Sequence, residues 1–180
     1  MRILFVTDIH GSSYFAKKAL EAFEKEEANF IALLGDELYH GPRNPLPREY
    51  NPAEVAELLN KYADRIIAVK GNCDSEVDQM MFNFPIMSSH STILYNERRL
   101  FLTHGHIYNE NKMPVLNPGD VLIYGHTHIN KTEKKEGIFI INLASIALPK
   151  NDNPNCYAVL DNDVFRIKDV NGGIIKEIHF

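Results

Sequence analysis

The chain is poor in cysteine. Only Cys73 and Cys156 occur, and their separation fits neither a zinc-ribbon nor a CxxC spacing. That excludes a cysteine-built zinc finger and a dithiol redox motif. Long hydrophobic runs are also missing, and none approaches the ~20 residues that a membrane-spanning helix needs. The N-terminus offers one basic residue and the four apolar residues Ile3-Leu4-Phe5-Val6 before Thr7-Asp8. That is too short for a secretion signal. The expectation is a cytoplasmic protein with reduced thiols and no membrane contact. A basic excess is absent too, since the formal net charge is −5. Gripping long nucleic acid through an overall basic surface is therefore not expected. Small phosphorylated substrates stay open, because a metal ion can supply positive charge locally.

What is present suits one domain over residues 1–180. Hydrophobic residues make up 44% of the chain, enough for a full core. Ile3 to Val6 is a continuous apolar run and predicts a buried strand. Ser12 or Ser13 can cap a helix reaching about Glu27, with Phe15, Ala19, Ala22 and Phe23 on one face. Phe30 to Leu34 predicts a second strand. Asn51-Pro52 reads as a helix cap and first turn, followed by Val55, Leu58, Leu59 and Tyr62 at helical spacing. Arg65 to Val69 predicts a third strand, and Ser75 to Phe84 a short helix or turn. Strand and helix alternate here, which suggests a parallel sheet with right-handed crossovers.

From Ser91 the pattern changes. Thr92–Tyr95 and Leu100–Thr103 flank Asn96-Glu97, a hairpin turn. Strands follow at Asp120–Tyr124, Ile138–Asn142, Tyr157–Leu160, Val164–Ile167 and Ile174–Ile178. Lys131, Lys134 and Lys135 predict a solvated hairpin face. The expected fold is α/β: two mixed sheets packed face to face, with helices on the outer faces.

Five of these strands end in polar residues, and most of those clusters contain or touch a glycine. Asp8-Ile9-His10-Gly11 follows the first strand, where a carboxylate and an imidazole at i and i+2 share one side of an extended chain. Asp36 follows the second strand, Asn72 the third, His104 the hairpin's second arm, and His126 with His128 the Asp120–Tyr124 strand. A buried Asp–His hydrogen bond explains the first pair alone. It does not explain five such clusters. Seven oxygen and nitrogen donors suffice for two metal ions sharing one carboxylate, and this donor chemistry suits Mn, Fe or Zn more than Ca or Mg.

The order Asp-x-His, Gly-Asp, Gly-Asn-x-Asp, His-Gly, Gly-His-x-His resembles the calcineurin-like metallophosphoesterase superfamily. Asn72-Cys73-Asp74-Ser75-Glu76-Val77-Asp78-Gln79-Met80, with His40-Gly41-Pro42-Arg43-Asn44 before it, is similar to the YfcE-type bacterial phosphodiesterases within it. The resemblance implies a four-layer α-β-β-α sandwich. It implies that Asp8, His10 and His128 bind one divalent ion, that Asn72, His104 and His126 bind a second, and that Asp36 bridges both. Metals in such pairs lie ~4 Å apart, and a bridging hydroxide attacks phosphorus in line with the leaving oxygen. Manganese is the implied ion, with Zn, Fe or Ni as substitutes, and a homo-oligomer such as a dimer is implied as well.

Two divalent ions bring four positive charges. Asp8, Asp36 and a bound hydroxide remove three, and the remaining one matches a phosphodiester monoanion. Nearby Arg or Lys would tip the balance toward a monoester. Asp36, Asn72, Cys73 and His104 are the expected catalytic set, and Arg43, Cys73 and His106 the expected substrate contacts. Cys73 departs from the superfamily, many of whose members carry histidine directly after the metal-binding asparagine. A thiol is a weak donor, so substrates with good leaving groups are expected. Asp74 is expected to orient a histidine ligand, and His40 to lie on the surface. The loop Glu37–Asn51 is expected to shape the pocket. The leading expectation is a dinuclear phosphodiesterase acting on a small phosphodiester. The alternatives are a phosphomonoesterase, or a non-catalytic scaffold of the same fold, as in the retromer subunit.

Overall fold

The computed structural model describes residues 1–180. Strand β1 (Ile3–Val6) is buried on both faces, as its unbroken apolar run requires. Helix α1 (Ser13–Lys25) begins where Ser12 Oγ accepts the Phe15 N–H at 3.2 Å. Strand β2 (Phe30–Leu33) lies parallel to β1, in the register Ile3 to Phe30 through Val6 to Leu33. Helix α2 (Pro52–Asn60) is capped by Asn51, whose Oδ1 accepts the Glu54 N–H at 3.3 Å. Strand β3 (Ile66–Ala68) continues the parallel ladder beside β2. The single-turn helix α3 (Glu76–Gln79) is held by a capping box between Ser75 and Asp78.

The second half is β-rich. Strands β4 (His90–Tyr95) and β5 (Arg98–Thr103) form the expected hairpin, with Asn96 at φ 54°. Strands β6 (Val121–Tyr124), β7 (Lys131–Lys135) and β8 (Ile138–Asn142) follow. Strands β9 (Cys156–Asp161), β10 (Val164–Asp169) and β11 (Ile174–His179) close the chain as an antiparallel meander. β7 pairs with β8 and exposes Lys131, Lys134 and Lys135 at a sheet edge. Charged edges discourage pairing with another chain.

Two mixed sheets result. One has the order β11-β10-β9-β1-β2-β3, the other β4-β5-β6-β8-β7. Side-chain alternation sorts the core into layers. Ile3 and Phe5 of β1 face the second sheet, with Phe165, Ile123 and Ile141. Leu4 and Val6 face the helices, with Phe23, Leu33 and Leu59.

The fourth layer differs from expectation. The outer face of the second sheet presents Leu122, Tyr124 and Ile140, and it is covered by Met113 and Leu116 of an irregular segment, not by a helix. That segment, 105–119, contains Asn109, Asn111, Pro114, Asn117, Pro118 and Gly119. These are turn formers that break a helix. No helix of the structure is long and apolar enough to cross a membrane.

Candidate metal centre

Strands β1, β2, β3, β5 and β6 all deliver their carboxyl ends to one edge of the sandwich. The His126 N–H donates to Asp8 Oδ2 at 3.1 Å, which joins loops from the two sheets. The expectation of an extended Asp8–His10 pair needs correction. β1 ends at Val6, and Asp8 and His10 sit at φ 57° and 51°. Two left-handed turns, not strand alternation, bring His10 Nε2 to 3.4 Å from Asp8 Oδ1. Asp36 (61°), His126 (68°) and His128 (62°) share this conformation. Such backbone costs on the order of 1–3 kcal/mol per non-glycine residue, and its concentration here marks a functional centre. Two glycines serve close approach. A Cβ on Gly71 would overlap the Asp36 carboxylate, and one on Gly125 would lie 2.8 Å from Asp8 Oδ2.

All seven expected ligands converge. His128 Nε2 lies 3.2 Å from Asp8 Oδ1 and 3.3 Å from His10 Nε2. Asp36 Oδ2 lies 3.4 Å from His104 Nε2 and 3.8 Å from His10 Nε2, so one oxygen stands between the two groups. His104 Nε2 is 3.1 Å from Asn72 Oδ1 and 3.2 Å from His126 Nδ1. The other nitrogens of three imidazoles face carbonyls: His10 Nδ1 toward Tyr39 at 2.8 Å, His104 Nδ1 toward Leu34 at 2.8 Å, and His128 Nδ1 toward Leu148 at 2.5 Å. A carbonyl only accepts, so each Nδ1 carries the proton. Each Nε2 then turns a lone pair inward, as metal-ligating histidines do.

These residues fit divalent cations. Asp8 Oδ2 takes the Thr7 hydroxyl at 2.6 Å and the His126 N–H, whereas buried Asp8 Oδ1 has no hydrogen-bond partner. It points at two inward Nε2 atoms. Once those nitrogens are deprotonated, a buried acceptor faces further acceptors, and that calls for a positive charge among them. Three close triads, Asp8-His10-His128, Asp8-Asp36-His104 and His10-Asp36-Cys73, bring donor atoms near enough to share an ion.

Protons compete for the same place. Burial alone would raise the Asp8 carboxyl. The His104, His10 and His128 imidazoles outweigh it and hold Asp8 well below the ordinary range. Burial alone would lower His104, but the charges of Asp8 and Asp36 lift it to about 9. Two opposite pH trends follow. In metal-free protein the raised His104 value contributes stability that is full below pH 6.5 and is lost as pH rises through about 9. A metal ion bound through His104 would have to displace that proton, so its apparent affinity is expected to rise about tenfold per pH unit for each proton released. Thermal melts and metal titrations from pH 6 to 9 check both signs. Affinity independent of pH would remove His104 from the ligand set.

A cavity of about 700 Å³ opens above the centre, with Asp36, Asn72, His126 and His128 on its floor. Arg43 and Cys73, two of the three expected substrate contacts, line it. His106 does not. It packs beside His104 and His126 at ring distances of 5.4 and 6.2 Å. Burial, then the charge on His104, lowers its imidazole to about 4. Burial, then the Asp36 charge, pushes the Cys73 thiol far up, so it stays protonated.

Asp74 orients no histidine. Its carboxylate accepts backbone N–H groups of Asp36 at 2.9 Å, Glu37 at 3.1 Å and Gly71 at 2.6 Å. It thereby ties the loop after β2 to the loop after β3. His40 is half-buried against Tyr39 and Tyr50, not free on the surface. The sequence reading missed Thr7, Thr127 and Lys150, which support Asp8 or line the cavity. It also missed Glu37, a carboxyl that burial and then the Asp74 charge push well above its usual range.

A sandwich of this topology, with its donors in this order, defines a metallophosphoesterase. Residues 1–164 match the calcineurin-like phosphoesterase superfamily domain, and the chain belongs to that family. Among its relatives, phosphodiesterase YfcE of Escherichia coli K12 is 49% identical over 167 residues, covering 93% of this chain and 91% of that one. The solved structure of that Escherichia coli phosphoesterase matches with a TM-score of 0.96 at 46% identity, over 99% of this chain and 98% of the other. Vacuolar protein sorting 29 of Cryptosporidium parvum shares the fold alone, at TM-score 0.63 and 19% identity over 99% and 98% of the two chains.

Proposed function

We propose that the chain hydrolyses a small phosphodiester by in-line displacement at phosphorus, at a centre of two divalent metal ions. Asp8, His10 and His128 would hold one ion, Asn72, His104 and His126 the other, and Asp36 would contribute to both. The observation that carries this reading is Asp36 Oδ2 standing between His10 and His104, each at the head of its own donor group. When bound, the ions supply the Lewis acidity that activates water and neutralises phosphoryl oxygens. The carbonyls of Tyr39, Leu34 and Leu148 fix three imidazoles in the ligating tautomer. The Cys73 N–H holds Asp36 Oδ1 at 2.8 Å, leaving Oδ2 to the centre. Carboxylate, amide and imidazole donors favour manganese, iron or zinc, and manganese is the first ion to test.

A diester is favoured over a monoester because the relative in Escherichia coli is named a phosphodiesterase, and because Cys73 is a poor proton donor. Aryl esters need little protonation of the leaving oxygen, so they should outrun alkyl ones. Cys73→His restores a donor and is expected to raise hydrolysis of alkyl diesters about a hundredfold relative to aryl ones. Unchanged relative rates would remove Cys73 from leaving-group chemistry. The reading as a whole is tested by stripping the protein of metal, restoring single ions, and assaying paired aryl mono- and diesters. Metal-bound protein that cleaves only monoesters overturns the diesterase reading. Protein that binds no Mn, Fe or Zn overturns the metal centre and favours a scaffold.

A further inference from the structure

The cavity is larger than the reacting group alone requires. At about 700 Å³ it lies in the size range that encloses a drug-sized ligand. Two cations stand at its rim, and both are exposed. Arg43 sits in a turn pinned by Asn44, whose N–H donates to the Gly41 carbonyl at 3.3 Å and whose side-chain amide donates to the His40 carbonyl at 2.8 Å. Lys150 belongs to a separate loop. Its N–H donates to the His128 carbonyl at 2.9 Å, and its own carbonyl takes the Asn153 amide at 2.7 Å.

The backbones of both residues are anchored while their charged ends are not. Neither the guanidinium nor the ammonium has a carboxylate within 4.0 Å. What sets these two apart from other unpaired surface cations is their place, since both line the cavity above the metal centre. Two uncompensated cations around a mostly polar cavity attract an anion.

We propose that Arg43 and Lys150 form an anion subsite at the cavity mouth, and that the substrate is a phosphodiester carrying a second phosphate-like group on one arm. This rests on the phosphodiesterase reading, in which the charge at the reacting phosphorus is already balanced by a diester monoanion. The guanidinium fork of Arg43 grips phosphate oxygens in pairs, and the Lys150 ammonium adds a point charge from a second loop lining the same cavity. The second anion selects substrates by holding the diester across the cavity, with its phosphorus over Asp36 and Asn72.

The test compares the 4-nitrophenyl ester of thymidine 5′-phosphate with its 3′-phosphorylated counterpart on manganese-loaded protein. The 3′-phosphorylated ester is expected to have kcat/KM about tenfold higher at low salt. That ratio should fall toward one in Lys150→Ala, and also as salt is raised. A ratio of one in the unmodified protein, or a ratio unchanged in Lys150→Ala, overturns the subsite. So does an equal loss on 4-nitrophenyl phosphate, because the cations would then serve the reacting phosphoryl group.

Protein that cleaves neither ester defeats the phosphodiesterase reading, and the subsite is then judged by equilibrium binding. Thymidine 3′,5′-bisphosphate should bind about tenfold tighter than thymidine 5′-phosphate, with the difference lost in Lys150→Ala. Equal affinities in the unmodified protein overturn the subsite.

Discussion

Asp36→Asn is expected to lower phosphodiester hydrolysis by about a thousandfold and to reduce the metal bound per chain. The amide keeps an oxygen for the Cys73 N–H, so the loop should hold its shape. The variant loses the negative charge that Oδ2 presents to both donor groups. Charge stabilisation by a bound ion is worth several kcal/mol, and each ~1.4 kcal/mol is a factor of ten in rate. Metal analysis of the purified variant, together with turnover on an aryl diester, reads both effects. Full metal content with near-normal turnover would show that Asp36 bridges nothing.

The second large effect is expected at a residue that touches no metal. Asp74→Ala should weaken metal binding by about 10- to 100-fold and lower the melting temperature even without metal. Asp74 is buried, and its two oxygens take three backbone N–H groups. Leaving buried donors unpaired costs on the order of 1–3 kcal/mol apiece. The same bonds set the spacing between Asp36 and the Gly71-Asn72 turn, which arise from different strands. Loss of stability with unchanged metal affinity would make Asp74 a simple structural clamp. Loss of both is the expected signature of a residue that positions a ligand. Metal titration and thermal denaturation on the same sample separate these outcomes.

The parts of this centre that were legible in the sequence share a cause. A buried strand reads as an apolar run, and a donor at its end stands out against that run. Ile3–Val6, Phe30–Leu34 and Val121–Tyr124 announced Asp8, Asp36 and His126 in this way. The family resemblance then assigned their roles. Lys150 had no such marker, because it follows an irregular stretch and reaches the cavity only through tertiary folding. Asp74 was visible, but two of its three backbone partners are 37 and 38 residues away. No side-chain pattern encodes those. The missing outer helix reflects composition: segment 105–119 is rich in Asn, Pro and Gly, and it covers the second sheet with Tyr108, Met113 and Leu116.

The left-handed kinks at Asp8, His10, Asp36, His126 and His128 bear on any attempt to transplant this centre. Grafting the seven side chains onto loops of ordinary right-handed or extended backbone would aim their donors outward and assemble nothing. A designer would have to carry over the turns as well, on a host rigid enough to tolerate them. The transferable unit is therefore five loops on two sheets, three of them bent in this way, not a list of residues.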